Sequence, residues 1–239
     1  MQVALFVTCL IDQLFPEVAE AAVSVLRRCG IEPALVQEQT CCGQIAFNDG
    51  FWPQAHILAR RHLDLFESAD AVVTPSGSCA AMVREFYPVL LKDDQALTAR
   101  AHHAGERTYE LTEFLIDVLH RDDVGARFPH RVTYHASCHG LRGLGVRDQP
   151  FQLLRQVRDL ELKSLDGLEE CCGFGGMFAV KFSGLSGSML DAKIRAIEAS
   201  GAEVVTATDA SCLMHIDGGL RRRRSKVRAL HLAEILASQ

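Results

Sequence analysis

The sequence contains no apolar run of the roughly 18 residues that a membrane span requires. Its amino terminus, MQVALFVTCLIDQ, has a short apolar stretch but neither a basic leader nor a small-residue cleavage site, and it reads as a strand rather than a signal peptide. Positive charge is not in excess. The 239 residues carry a net charge of −5, which gives no electrostatic footprint for nucleic acid. The one basic run, Arg221 to Arg224, is short and reads as a solvated helix face. Neither a C-x-x-C pair nor a G-x-G-x-x-G dinucleotide fingerprint occurs. These absences point to a cytoplasmic chain without a membrane span. With 48% apolar and 23% charged residues it has an ordinary globular composition, and it is long enough for one large domain or two small ones.

What the sequence has in abundance is cysteine. Nine cysteines in a cytoplasmic protein point to metal binding or redox work rather than a disulfide framework. Eight of them fall into register. Cys9, Cys41, Cys42 and Cys79 are followed, at offsets of 129, 130, 130 and 133 residues, by Cys138, Cys171, Cys172 and Cys212. The flanking segments agree: VVTPSGSCAAM answers VVTATDASCLM, and LFVTCL answers TYHASCH. The chain is an internal duplication. Its repeats are expected over 1–105 and 131–239, with a linking segment and helix over 106–130 centred on Tyr109 to His120.

Each half has the same rhythm. A short apolar run ends at Cys9 or Cys138, and an amphipathic helix follows, with Val18, Ala22, Val25 and Leu26 on one face in the first half. A second run (PALV, ELKSL) precedes the Cys-Cys-Gly loop and another helix. A third run (AVVTP, EVVTAT) leads to Cys79 or Cys212 at the head of a helix. Strands alternating with helices predict an α/β fold: two duplicated Rossmann-like lobes with parallel sheets, related by a pseudo-twofold. Cysteines placed just after strands converge where such sheets form their sites, at the carboxyl ends of the strands. Two separate pockets, one per half, are expected.

Four thiolates with an adjacent pair limit what is held. A structural zinc usually uses a C-x-x-C knuckle, and directly adjacent cysteines converge less easily on one ion. A polynuclear cluster relaxes this demand, because neighbouring thiolates can bind different iron atoms. Iron–sulfur clusters are commonly held by four cysteines. One cluster per half, of the [4Fe–4S] type, fits best, with zinc in one half as the alternative. Gly43 and Gly173 follow the two pairs, and Gly175 and Gly176 extend the second loop, so the backbone can approach a bulky cofactor and aim N–H groups at it.

The doubled C-x31-CCG…C and C-x32-CCG…C pattern resembles the CCG, or cysteine-rich, domain of heterodisulfide reductase and glycolate oxidase iron–sulfur subunits. The stretches PSGSCAAMVR, CCGFGGMFAVKFS and CLMHIDGG are most similar to the lactate-utilisation branch of that family. The resemblance implies an iron–sulfur redox subunit that relays electrons in the oxidation of L-lactate to pyruvate. It also implies lactate-utilisation partner subunits, one of them an iron–sulfur protein. The chain departs from the wider family where members end each motif in C-x-x-C, since Ser76 and Asp209 stand at the first of those positions. That casts doubt on a five-cysteine cluster and on disulfide-reducing chemistry, and both residues read as helix caps.

The remaining residues divide simply. Cys29 has no counterpart and reads as a small buried hydrophobe. His135, His139 and His215 lie close to second-half cysteines and are candidates for tuning a bound group. Lys181 is a candidate for balancing its charge or contacting a carboxylate. Two other readings stay open: a zinc-stabilised scaffold without redox work, and a thiol or disulfide oxidoreductase.

Overall fold

The computed structural model describes residues 1–239. Its strands form two four-stranded sheets, both parallel throughout. The first contains β1 (Val3–Leu5), β2 (Ala34–Leu35), β3 (Ala71–Thr74) and β4 (Thr108–Glu110) in the order β2-β1-β3-β4. The second contains β5 (Arg131–Tyr134), β6 (Glu161–Lys163), β7 (Val204–Ala207) and β8 (Arg228–His231) in the order β6-β5-β7-β8. The duplication extends to the register. Ala4 pairs with Val72, and their counterparts Thr133 and Val205 pair in the same way.

The central strands are buried on both faces, as parallel strands covered by helices must be. Val3 and Leu5 point into one apolar cluster, while Ala4 and Phe6 point into another. In the second lobe Val132 and Tyr134 face the inner cluster, and Val204 and Val205 separate in the same alternating way. The helices follow from ordinary signals. The Pro16–Arg28 helix has proline at its first position, buries Val18, Ala22, Val25 and Leu26, and runs out at Cys29 before Gly30, whose φ of +81° suits glycine. No helix is long and apolar enough to cross a membrane.

The inner cluster of 28 residues draws on both halves, so the lobes share one core. The connections explain how. The Leu111–Glu113 helix and the π-helical turn Phe114–Val118, which follow β4, pack on the Gln149–Gln156 helix of the second half. The Leu232–Ala237 helix, which follows β8, packs on the Pro16–Arg28 helix of the first half. Each exchanged helix opens with a capping box, Glu110 with Glu113 and His231 with Glu234. Each lobe thus gives its last helix to the other, which is a pseudo-twofold relation.

The expected helix over Tyr109 to His120 begins later. Thr108 and Tyr109 favour the extended chain and pair with Val72 and Val73, and Glu110 caps a helix that starts at Leu111. Segment 106–130 therefore also completes the first sheet.

At the site end the lobes approach backbone to backbone. A Cβ on Gly77 would lie 3.1 Å from Gly140 Cα, and Gly77 N–H donates to Thr208 O at 3.2 Å. Gly77→Val is expected to destabilise the chain by about 1–3 kcal/mol through overpacking of this lobe contact. Gly184→Ala, with nothing near its added carbon, is expected to be neutral or stabilising. Thermal denaturation of the two variants checks the difference.

Candidate metal centre

All eight registered cysteines stand at the carboxyl edges of the sheets. Cys9 opens the Cys9–Leu14 helix just beyond β1, and Cys138 caps the π-helical turn His139–Gly143 beyond β5. Cys79 and Cys212 are the third residues of the helices that follow β3 and β7. The Cys-Cys-Gly loops follow β2 and β6 and bring their thiols inward from the sheet side. A helix amino terminus offers unpaired N–H groups and a favourable dipole to a thiolate, so this placement is chemically purposeful.

Within each half the thiols form a contiguous chain. Cys9 reaches Cys41, Cys41 reaches Cys42, and Cys42 Sγ lies 3.3 Å from Cys79 Sγ. The second half repeats the chain from Cys138 through Cys171 and Cys172 to Cys212. Gly43 N–H donates to Cys41 Sγ and Gly173 N–H to Cys171 Sγ, each at 3.3 Å. Both glycines have left-handed backbones, with φ of +87° and +92°. A Cβ on Gly173 would also meet Ser186 O at 2.7 Å.

The charge balance of the bare thiols is telling. Hydrogen bonds from Cys42 and Cys9 hold Cys41 down at about 3, and those from Cys138 and Cys172 hold Cys171 at about 2. Cys9 and Cys138 are pushed up by donating to those thiolates, by burial and by the repulsion of neighbouring charge. Cys42 and Cys172 are pushed up in the same way. In each set one thiol is thus held down while two of its neighbours are pushed up. A cationic centre removes this conflict, because it replaces the thiol protons. The residues present therefore fit a metal ion or an iron–sulfur cluster.

The expectation of two separate pockets is corrected by the structure. All eight cysteines line one cavity of about 390 Å³, because the lobes dock edge to edge with their carboxyl ends facing each other. Asp209 holds that junction. Its Oδ1 accepts from Ser211 N–H at 3.1 Å and caps its own helix, while its Oδ2 accepts from Ser78 N–H of the other lobe at 2.8 Å. Ser76 caps the first-half helix by accepting from Cys79 N–H at 3.4 Å. Both residues thus act as caps, and Asp209 is also the clasp between lobes.

Other sequence candidates fall in varied places. Gly175 and Gly176 have φ of +52° and +64° and line the cavity. Lys181 lines it too, and its ammonium pairs with Asp49 of the first lobe, so it contacts a carboxylate of the protein itself. His139 lines the cavity with its ring edge-on to Phe86, and His215 Nε2 is 3.3 Å from Ser186 Oγ. His135 is fully buried behind the second cysteine set, where a ring nitrogen lies within 4.8 Å of Cys172 Sγ and Cys212 Sγ. Cys29 sits against the inner core, away from the cavity.

Three residues escaped the sequence reading. Tyr87 is fully buried and donates its hydroxyl to Cys42 O at 2.9 Å, which fixes the first Cys-Cys turn. His62 and Lys193 are buried under the outer faces of their sheets. The cysteine offset of 130 sets His62 against Ala192, and only the structural match of Ala55 O at Gly43 with Ser186 O at Gly173 sets it against Lys193, so the repeat alignment held no direct signal for this pair.

Duplicated parallel sheets with two cysteine quartets facing one cavity define a cysteine-rich α/β protein with the donor set of a metal or iron–sulfur centre. The CCG cysteine-rich domain model matches residues 3–84 and again 132–217. Lactate utilization protein A 2 of Bacillus cereus (strain 03BB102) is 44% identical over 99% of this chain and 98% of its own length. Lactate utilization protein A of Bacillus pumilus (strain SAFR-032) is 46% identical over the whole of both chains. The chain belongs to the CCG cysteine-rich domain family and, within it, to the group of proteins named lactate utilization protein A.

Asp209→Ala leaves a buried N–H of the other lobe unpaired as well as a helix uncapped, and is expected to cost about 3 kcal/mol. Ser76→Ala, which removes a cap and a long hydroxyl contact with Ser78 within the same lobe, should cost about 1 kcal/mol. Urea denaturation measures both, and equal costs would mean that Asp209 does not clasp the lobes.

Proposed function

We propose that the chain is an iron–sulfur redox subunit that relays electrons during the oxidation of L-lactate to pyruvate, in company with partner subunits. The observation that carries this reading is the convergence of four thiols, twice, on one cavity, in a chain whose full-length relatives are named for lactate utilisation. Cys9, Cys41, Cys42 and Cys79 would hold one cluster, and Cys138, Cys171, Cys172 and Cys212 the other. An iron–sulfur cluster supplies one-electron transfer at a potential set by its charge, hydrogen bonds and exposure. Gly43 and Gly173 direct N–H groups at the thiolates. Cys42 and Cys172, each 2% exposed, anchor the buried side of each set away from water. Four cysteine donors per half, with Ser76 and Asp209 engaged as caps, favour a cubane [4Fe–4S] cluster over one that needs a fifth thiolate.

Partner subunits follow from the chemistry. Oxidising a 2-hydroxy acid removes two electrons and two protons, work normally assigned to a flavin or nicotinamide. The chain has no dinucleotide fingerprint, so it is suited to passing electrons beside a partner that performs that step.

Anaerobically purified protein is expected to be brown and to contain iron and sulfide. Cys41→Ala/Cys42→Ala should remove roughly half of the iron while the second site survives. A colourless zinc protein would overturn the reading in favour of a scaffold. The loaded chain alone should show no lactate-dependent dye reduction, and the activity should emerge when its partners are added. Substantial turnover by the isolated chain would make one cysteine site the catalytic centre and would end the relay reading.

A further inference from the structure

The two halves differ in the wall behind each cysteine set. Phe6 and His135 occupy the same place in the repeat, three residues before Cys9 and Cys138. The backbone N–H of each donates to the equivalent residue of the neighbouring strand, Phe6 to Val73 O and His135 to Thr206 O, both at 2.8 Å. Both are fully buried. The helix facing each supplies a second matched pair. Ala55 O near Gly43 and Ser186 O near Gly173 fix the alignment, which then sets His62 against Lys193. His62 is 4% exposed and Lys193 1%.

In the first half the wall is aromatic. The Phe6 ring meets the His62 ring edge-on at 4.8 Å, and burial holds that imidazole neutral. In the second half the same two places hold an imidazole and an ammonium. Neither ring nitrogen of His135 has a partner in the protein, although an unpaired buried polar group is costly. One of them lies within 4.8 Å of the sulfurs of Cys172 and Cys212. Lys193 Nζ donates to Gly167 O at 2.5 Å, in the loop that leads to Cys171. Burial lowers the pKa of this ammonium, and the nearby Glu170 carboxylate and the sulfurs of Cys172, Cys138 and Cys171 oppose that shift.

Reduction adds negative charge to a site already rich in thiolate. An N–H directed at its sulfurs, and a cation next to it in a medium of low dielectric, both favour the reduced form. We propose that His135 and Lys193 set the second cysteine site apart from the first, His135 by donating an N–H to the bound group and Lys193 as its buried counter-charge, so that the second site is the more readily reduced of the two. Both are positioning and tuning residues, not ligands. The assignment rests on the iron–sulfur reading. An electron shared between the sites leaves the first, which is oxidised by one electron, and resides on the second, which is reduced by one, with no bond made or broken.

The test is a potentiometric titration of the anaerobically reconstituted full chain, followed by electron paramagnetic resonance, with iron and sulfide measured on every sample. Wild type should show two one-electron waves. C41A/C42A should keep only the wave at higher potential, and C171A/C172A only the lower. H135F, which copies the first half, and K193M should each shift the higher wave downward and leave the lower one in place, at unchanged iron content. The reciprocal F6H, made in the half that loses nothing, should shift the lower wave upward. A purely structural role for these residues would change iron content or thermal stability but would not move a wave at full iron loading. The proposal is overturned if the two wild-type waves coincide, if C41A/C42A retains the lower one, or if K193M and F6H leave both potentials in place. The last outcome decides the matter even where H135F fails to load. A wild-type chain without iron and sulfide would overturn the cluster reading itself and this assignment with it, and the metal assay identifies that case before any potential is measured.

Discussion

Four sulfurs from three separate strand ends must meet within hydrogen-bonding reach of one another, and this demand shapes each half. Parallel strands satisfy it, because they place every strand-to-helix turn on the same edge. The order β2-β1-β3 then does the rest. The two strands that carry Cys9 and Cys79 are adjacent, and the loop after β2 reaches over them with Cys41 and Cys42. The turns themselves must be tight. Gly43 and Gly173 adopt backbone angles that a side chain resists, and at Gly173 the Ser186 carbonyl leaves no room for a Cβ. The buried tyrosine Tyr87 then pins the Cys42 carbonyl from below.

The second constraint is that the two edges face one another. Docking two thiol-rich edges concentrates like charge, so the junction needs contacts that do not depend on apolar area. It has them in backbone form. Gly77 and Gly140 allow close approach, and Gly77 N–H and Ser78 N–H are received by Thr208 O and Asp209 Oδ2 of the other lobe. Apolar stabilisation is supplied at a distance, through the exchanged terminal helices and the inner core that both lobes fill. The site is therefore held open by polar contacts at its rim while its stability is generated behind it.

Much of this was legible in the sequence, and the remainder was hidden for definite reasons. The cysteine register revealed the duplication, and strand-then-cysteine order gave the edge on which the thiols gather. The fourth strands were not visible. β8 is Arg-Ala-Leu-His with an exposed first residue, and β4 ends in a buried glutamate that caps the next helix, so neither reads as an apolar run. The repeat offset, steady near 130 through the cysteines, falls to 121 between the capping residues Glu110 and His231, which disguises segment 106–130 as a linker. The shared cavity was hidden because it depends on contacts between the halves, at Gly77, Gly140 and Asp209, that have no periodicity within either half.

The asymmetry between the halves follows from comparing their outer cores. In the first lobe the cluster under the outer sheet face contains 18 buried residues, among them Phe6, and in the second it contains 8. One residue of that difference lies at a matched position, where Phe6 of the first cluster stands against His135. Where one lobe places a phenyl ring and an uncharged imidazole, the other buries an imidazole with no protein partner and a lysine that is 1% exposed. Apolar burial favours stability roughly in proportion to area, so a lobe selected for stability alone would keep the aromatic wall. Lys193 donates to Gly167 O in the loop that leads to Cys171, and the unpartnered His135 ring lies within 4.8 Å of the sulfurs of Cys172 and Cys212, so both polar groups adjoin the second cysteine set. The two sites carry the same four cysteines, and the difference in the wall behind them makes them unequal without altering a single cysteine.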